Sequence, residues 1–188
     1  MTDCRKANLA HYAVTIIGKD RPGIVAQTAE ILYRLGCNIE DSSCTMLGGQ
    51  FATIYILSHE LPFQRELLEE GFSSISATTD LSAFIRELKD DEVCYQEPQG
   101  ELCLVSVYGS DKPGIVYKVT RELADRGVNI TDLNTKLIGT PESPVYVLML
   151  EAALPEGMSV DDAALLLENL RKELNVEISV RLITPVAL

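Results

Sequence analysis

The residues best suited to hold a small polar molecule are Asp20-Arg21-Pro22-Gly23-Ile24-Val25, and the pattern returns as Asp111-Lys112-Pro113-Gly114-Ile115-Val116. Each run lies where a strand hands over to a helix. The first N–H groups of a helix have no carbonyl one turn back, and the aligned peptide dipoles favour negative charge there. A glycine at that point lets a ligand approach the main chain, so the amides around Gly23 and Gly114 suit a carboxylate. Asp20 and Asp111 can accept from an ammonium group. Asn38 and Asn129 each follow their glycine by fifteen residues, at the start of the next strand. A side-chain amide donates and accepts, so beside that turn it can hold either end of an α-amino acid. The same residues also have a purely structural reading, with Asp capping its helix, Pro and Gly shaping the turn, and Asn tolerating a left-handed corner. The residues alone leave both readings open.

The elements that must position these groups are themselves repeated. Gly36-Cys37-Asn38-Ile39-Glu40-Asp41 pairs with Gly127-Val128-Asn129-Ile130-Thr131-Asp132, and Gly48, Tyr55 and Leu57 pair with Gly139, Tyr146 and Leu148. At a constant offset of 91, residues 18–57 show 14 identities in 40 positions, where chance gives roughly two or three. A duplication follows, and it divides 188 residues into two domains of ordinary small size. The expected domains are residues 1–98, including a short tail over 1–9, and residues 99–188. Glu97-Pro98-Gln99-Gly100-Glu101 is the expected linker, too short to let the halves drift far apart.

In the first copy, residues 11–18 are rich in β-branched side chains and read as a strand. Proline in the first turn is compatible with a helix after Pro22, and Gly36 supplies its left-handed stop. Val25, Thr28, Ala29, Leu32 and Leu35 give that helix one apolar face. Strands are expected over 38–46 and 51–58 around a Leu47–Gln50 hairpin. Residues 62–89 read as two short helices because of Gly71 and the Ser/Thr-rich stretch, with a closing strand over 92–96. In the second copy, strands are expected over 102–109, 129–138, 145–152 and 176–183. A helix is expected over 113–126, and a loop over 140–144. A further helix is opened by a capping box at Ser159 and Asp162, with an apolar stripe of Ala163, Leu166, Leu167, Leu170 and Leu174. Each half is βαββαβ, an α+β ferredoxin-like order with helices on one face of an antiparallel sheet. Such halves leave strand edges to cover, so side-by-side pairing of the halves and a homo-oligomer are expected.

Other chemistries lack their residues. His11 and His59 are the two histidines and have no ligand-spaced partner, and no phosphate-binding glycine loop or nucleophile elbow occurs. No catalytic residue, metal ligand or cofactor is expected. Cysteines 4, 37, 44, 94 and 103 are odd in number and lack C-x-x-C spacing, which suits free thiols in a reducing cytoplasm. No segment has the roughly 18 unbroken apolar residues of a membrane span, and the N-terminus does not read as a signal peptide. The net charge of −12 disfavours direct nucleic-acid binding.

The Asp-x-Pro-Gly-Ile-Val turn, followed fifteen residues on by Gly-x-Asn-Ile, resembles the ACT domain, a βαββαβ regulatory module, and the resemblance covers nearly the whole chain. It implies that Asp20, Pro22, Gly23, Ile24, Asn38 and Ile39, with Asp111, Pro113, Gly114, Ile115, Asn129 and Ile130, surround an amino-acid effector at an interface between modules. Tandem modules with nothing attached resemble regulators of the transcription of amino-acid metabolism, glycine metabolism included. That implies a protein partner that is a DNA-binding regulator, with no DNA contact by this chain. Serine-binding modules carry Asn where this chain has Asp20 and Asp111, so effector identity does not carry over. A ligand-free interaction scaffold and a detached regulatory subunit of a metabolic enzyme are the other readings.

Overall fold

A computed structural model describes residues 9–93 and 100–184. They fall into two units, one within residues 1–95 and the other within residues 96–188. The expected boundary at 98/99 and most of the expected linker lie outside the described residues.

The first unit runs β1 (Leu9–Lys19), α1 (Ile24–Arg34), β2 (Asn38–Leu47), β3 (Gln50–Glu60), α2 (Arg65–Thr78), β4 (Leu81–Leu88) and a four-residue helix α3 (Asp90–Val93). Its strands lie in the order β2-β3-β1-β4, every neighbouring pair antiparallel. The second unit runs β5 (Leu102–Gly109), α4 (Ile115–Ala124), β6 (Asn129–Thr140), β7 (Ser143–Ala153), α5 (Val160–Leu174) and β8 (Val176–Leu182), with the matching order β6-β7-β5-β8. Both are ferredoxin-like. Alternation decides which sheet face is dry: Tyr12, Val14 and Ile16 of β1 and Val105 and Val107 of β5 are buried among helix residues. Leu32, Leu68, Leu123 and Leu167 meet them from the helices and are 0–1% exposed. Full burial of such a side chain is worth about 1.5–3 kcal/mol.

The first unit corrects four expectations. Gly71 does not divide the 62–89 segment, because α2 is one helix and a Cβ at Gly71 would come within 3.0 Å of Ile31 Cγ2 and 3.3 Å of Leu35 Cδ1. The glycine therefore marks the close approach of α2 to α1. Residues 81–88 are strand β4, not helix: Leu81, Ala83 and Ile85 pack on the core while Ser82, Phe84 and Arg86 face out, a period of two. The strand expected over 92–96 begins instead as the end of α3, and residues 94–96 lie outside the described residues. On α1 the buried stripe is Ile24, Thr28 and Leu32, with Ile31 and Leu35 partly covered, while Val25 is 50% exposed. The helix starts at Ile24, and one residue of helical rotation carries Val25 out of the core.

The constant offset of 91 ends at the second hairpin. Gly18 pairs with Phe51, whereas its counterpart Gly109 pairs with Tyr146, so the second unit holds four extra residues there. They lengthen both strands, and Thr140 pairs with Ser143 across a two-residue turn instead of a loop over 140–144. Tyr55 and Leu57 therefore do not occupy the places of Tyr146 and Leu148; in space they match Leu150 and Ala152. An even insertion divided between two strands keeps every side chain on its original face. Before the hairpin the copies agree closely. Each has a bulge at the same place, between Ile39 and Asp41 and between Ile130 and Asp132.

Candidate functional site

Both helix starts are opened by a glycine in the left-handed region. Gly23 has φ 89° and ψ 0°, and Gly114 has φ 96° and ψ −5°. A Cβ at either position would meet nothing within 4 Å, so the glycine is required by its backbone angle and not by crowding. The first helical hydrogen bonds run from the Gln27 N–H to the Gly23 carbonyl and from the Lys118 N–H to the Gly114 carbonyl, both at 2.9 Å. The amides of Ile24, Val25 and Ala26, and of Ile115, Val116 and Tyr117, therefore have no carbonyl partner within their helices. Neither helix has a side-chain cap. The aspartates thus do not play the capping role, and no side-chain hydrogen bond or ion pair among the described residues engages Asp20 or Asp111. The turn of the first unit is tied to the hairpin by the Asp20 N–H, which donates to the Gly49 carbonyl at 3.0 Å.

This turn is one end of an open groove of about 670 Å³. Asp20, Arg21 and Gly23 border the polar end, and Val25, Ala26 and Ala29 line the helix side. Cys44, Met46 and Phe51 line the sheet side. Arg21 donates to Gln27 Oε1 at 2.5 Å. In the second unit the corresponding Lys112 donates instead to the Leu174 carbonyl at 3.2 Å, at the end of α5. Sequence reasoning found the turn but missed the groove walls. The available signal was the contrast between Ala26 and Ala29 and their larger counterparts Tyr117 and Thr120.

The asparagines are not beside the turn of their own unit. Asn38 pairs with Ser58, which pairs with His11 at the start of β1. The Asp20 turn follows Lys19, at the other end of that strand. Eight residues of β1 separate the two levels, or about 27 Å. Asn129 lies likewise at the level of Leu102, seven residues from Gly109. The reason is topological: α1 and α4 each carry the chain back to the far end of the sheet before the next strand begins. Asn38 and Asn129 are exposed there, Ile39 is 37% exposed, and Ile130 packs against its core. Ile24 and Ile115 anchor the turns in the two cores, and Pro22 and Pro113 are exposed.

Near the Asn38 level, His11 Nε2 lies 3.7 Å from Glu40 Oε2, and the His59 ring stacks on Phe63 with centroids 4.1 Å apart. Burial pushes the Cys37 thiol up to about 11 and raises that of Cys103, so neither supplies a reactive thiolate. Among the described residues, no three His, Cys, Asp or Glu side chains gather as a metal site requires, and no helix is long and apolar enough to cross a membrane.

Comparison with known proteins places this geometry in a family. A glycine cleavage system transcriptional repressor from Escherichia coli K12 is 32% identical over 124 residues, covering 65% of this chain and 63% of that protein. The match thus spans less than two thirds of its length. Among solved structures, an unknown protein from Galdieria sulphuraria superposes with a TM-score of 0.77 at 24% identity, covering 94% of this chain and 99% of that one. A chain provisionally assigned as a glycine cleavage system transcriptional repressor superposes with a TM-score of 0.71 at 22% identity, over 95% and 100% of the two chains. These two likenesses establish the fold. The family model for the ACT domain matches residues 11–82 and again residues 101–181, and with most of its length covered twice over by that model, the chain belongs to the ACT domain family.

Proposed function

We propose that this chain is a non-catalytic regulatory protein in which a small amino acid seats on the β1–α1 or β5–α4 turn and changes the chain's affinity for a protein partner. The observation that carries this reading is the repeated glycine-opened helix start, with unshared amides next to an aspartate that has no side-chain partner among the described residues. The amides accept a carboxylate and the aspartate an ammonium group, so the two ends of an α-amino acid are matched. Asn38 and Asn129 lie at the far end of their own sheets and take no part in the site of their own unit. By linkage, a ligand that changes affinity for the partner has its own affinity changed by the partner by the same factor.

The kinship with the glycine cleavage repressor supports control of transcription of amino-acid metabolism as the output, through a DNA-binding regulator. This chain leaves DNA to that partner, because its net charge of −12 repels phosphate. Self-association accompanies the role: every residue of edge strand β2 is exposed, and of β6 all but Ile130, leaving long edges for a second chain to cover. The test is a thermal-shift and calorimetric screen of the full chain against the common amino acids. A ligand that binds only the native state raises its midpoint. Silence across the panel at millimolar concentration overturns the reading.

A further inference from the structure

We infer that the groove of the first unit selects an amino acid with an apolar side chain, and that the second unit does not share this preference. This rests on the amino-acid reading of the turns and adds the class of ligand. The groove measures about 670 Å³, within the 300–1,000 Å³ range of small-molecule sites. Its charged groups, Asp20 and Arg21, are of opposite sign and lie together at the turn, which matches the two charges of one zwitterion. Beyond them the walls are apolar apart from Thr45 on β2. Val25 is 50% and Met46 66% exposed, so both stand ready to bury surface against an apolar side chain. Glycine has no side chain to reach them.

The second unit changes the same walls in one direction. Ala29 corresponds to Thr120, Cys44 to Thr135 and Phe51 to Tyr146, so three positions each gain a hydroxyl. Ala26 corresponds to Tyr117, which adds bulk beside the helix start. Lys112, the counterpart of Arg21, donates to the Leu174 carbonyl. The Thr120 hydroxyl is held by the Val116 carbonyl at 2.9 Å, but an apolar side chain set against the Thr135 and Tyr146 hydroxyls would strip water from them without replacing their hydrogen bonds.

Calorimetry on the full chain with L-leucine, L-methionine, L-phenylalanine, glycine and L-serine tests the inference. At least one of the first three should bind at least about tenfold tighter than glycine and serine. Ala29→Phe, which fills the groove, should abolish that binding, and Thr120→Phe should leave it unchanged. Met46→Glu changes an exposed position outside the core and should weaken the apolar ligand about tenfold or more, so the test stands even if Ala29→Phe does not fold. Glycine or serine binding as tightly as the apolar ligands would overturn the inference and leave the amino-acid reading intact. Retained binding in Met46→Glu, or loss of binding in Thr120→Phe alone, would also overturn it. No binding by any of the five, nor by the other common amino acids, would remove the inference together with the reading on which it rests.

Discussion

The two units have the same backbone plan but fill it with different chemistry. In the first, Thr28 and Tyr55 are buried and hydrogen-bonded at 3.0 Å, and Thr28 Oγ1 also donates to the Val25 carbonyl at 3.0 Å. The Tyr55 hydroxyl is therefore the donor to Thr28. The second unit has Val119 and Leu150 in those places, both 0% exposed. On the sheet face away from the helices, exposed Phe84 of the first unit has Ser179 in its place in the second, and Ile56 opposite Ala13 is replaced by Glu151 opposite Leu104. What the copies share is geometric: the left-handed glycine, the bulge after the asparagine-isoleucine pair and the strand order. Backbone angles tolerate few residue types, whereas a buried pair or an exposed wall can change as long as volume and hydrogen bonding remain satisfied.

The largest effects test whether the cores are equivalent. Leu32 and Leu123 occupy matching positions and are both 0% exposed, so Leu32→Ala and Leu123→Ala should each cost about 2–5 kcal/mol in denaturant unfolding. A negligible effect at either site would break the correspondence. Next comes the polar pair. Thr28→Val leaves the buried Tyr55 hydroxyl without its acceptor and should cost about 1–3 kcal/mol. Adding Tyr55→Phe should recover much of that loss by making the site apolar, as in the second unit. A double variant no better than the single one would show that hydrogen bonding is not the difference that matters here.

The shared turns should respond alike. Gly23→Ala and Gly114→Ala meet open space, so each should cost only the backbone penalty of about 1–2 kcal/mol. Equal losses would confirm that both glycines serve the same angle, measured as paired shifts in the unfolding midpoint. The smallest effect sharpens a contrast in helix capping. Ser159 opens α5 with a full capping box, while Gln64 opens α2 from an extended backbone with no side-chain cap. Gln64→Ser should therefore stabilise the chain by about 0.5–1 kcal/mol, and an unchanged midpoint would count against the contrast. The box also carries a pH signature. Hydrogen bonds from the Ser159 hydroxyl and amide hold the Asp162 carboxyl below its ordinary value. Its contribution is thus present above the unfolded value of about 3.9 and is lost as pH falls through the folded one. Asp162→Asn should narrow the gap in stability between neutral and acid pH.

Much of this was legible in the chain because the signals are local. Gly23 and Gly114 mark the turns that open the two helices, Ser159 and Asp162 the capping box, and β-branched runs the central strands. The failures were signals that only a neighbour can interpret. Gly71 looked like a helix breaker until α1 was seen against it, and residues 81–88 mixed charges into a period-two pattern too short to outweigh the helix before them. The identities Tyr55/Tyr146 and Leu57/Leu148 were real in sequence but not in space, because ungapped matching does not register a four-residue hairpin extension that preserves side-chain parity.

The sequence by itself determined the duplication, the ferredoxin-like order and the two turns whose chemistry suits an amino acid. These follow from residue types acting on their own backbone. Tertiary structure alone decided that Asn38 and Asn129 stand a strand's length from those turns, and that Val25, Ala29, Met46 and Phe51 border one groove. A helix that returns the chain to the far end of its sheet separates residues close in sequence and joins residues distant in it, and no local preference encodes which side chains then face one another.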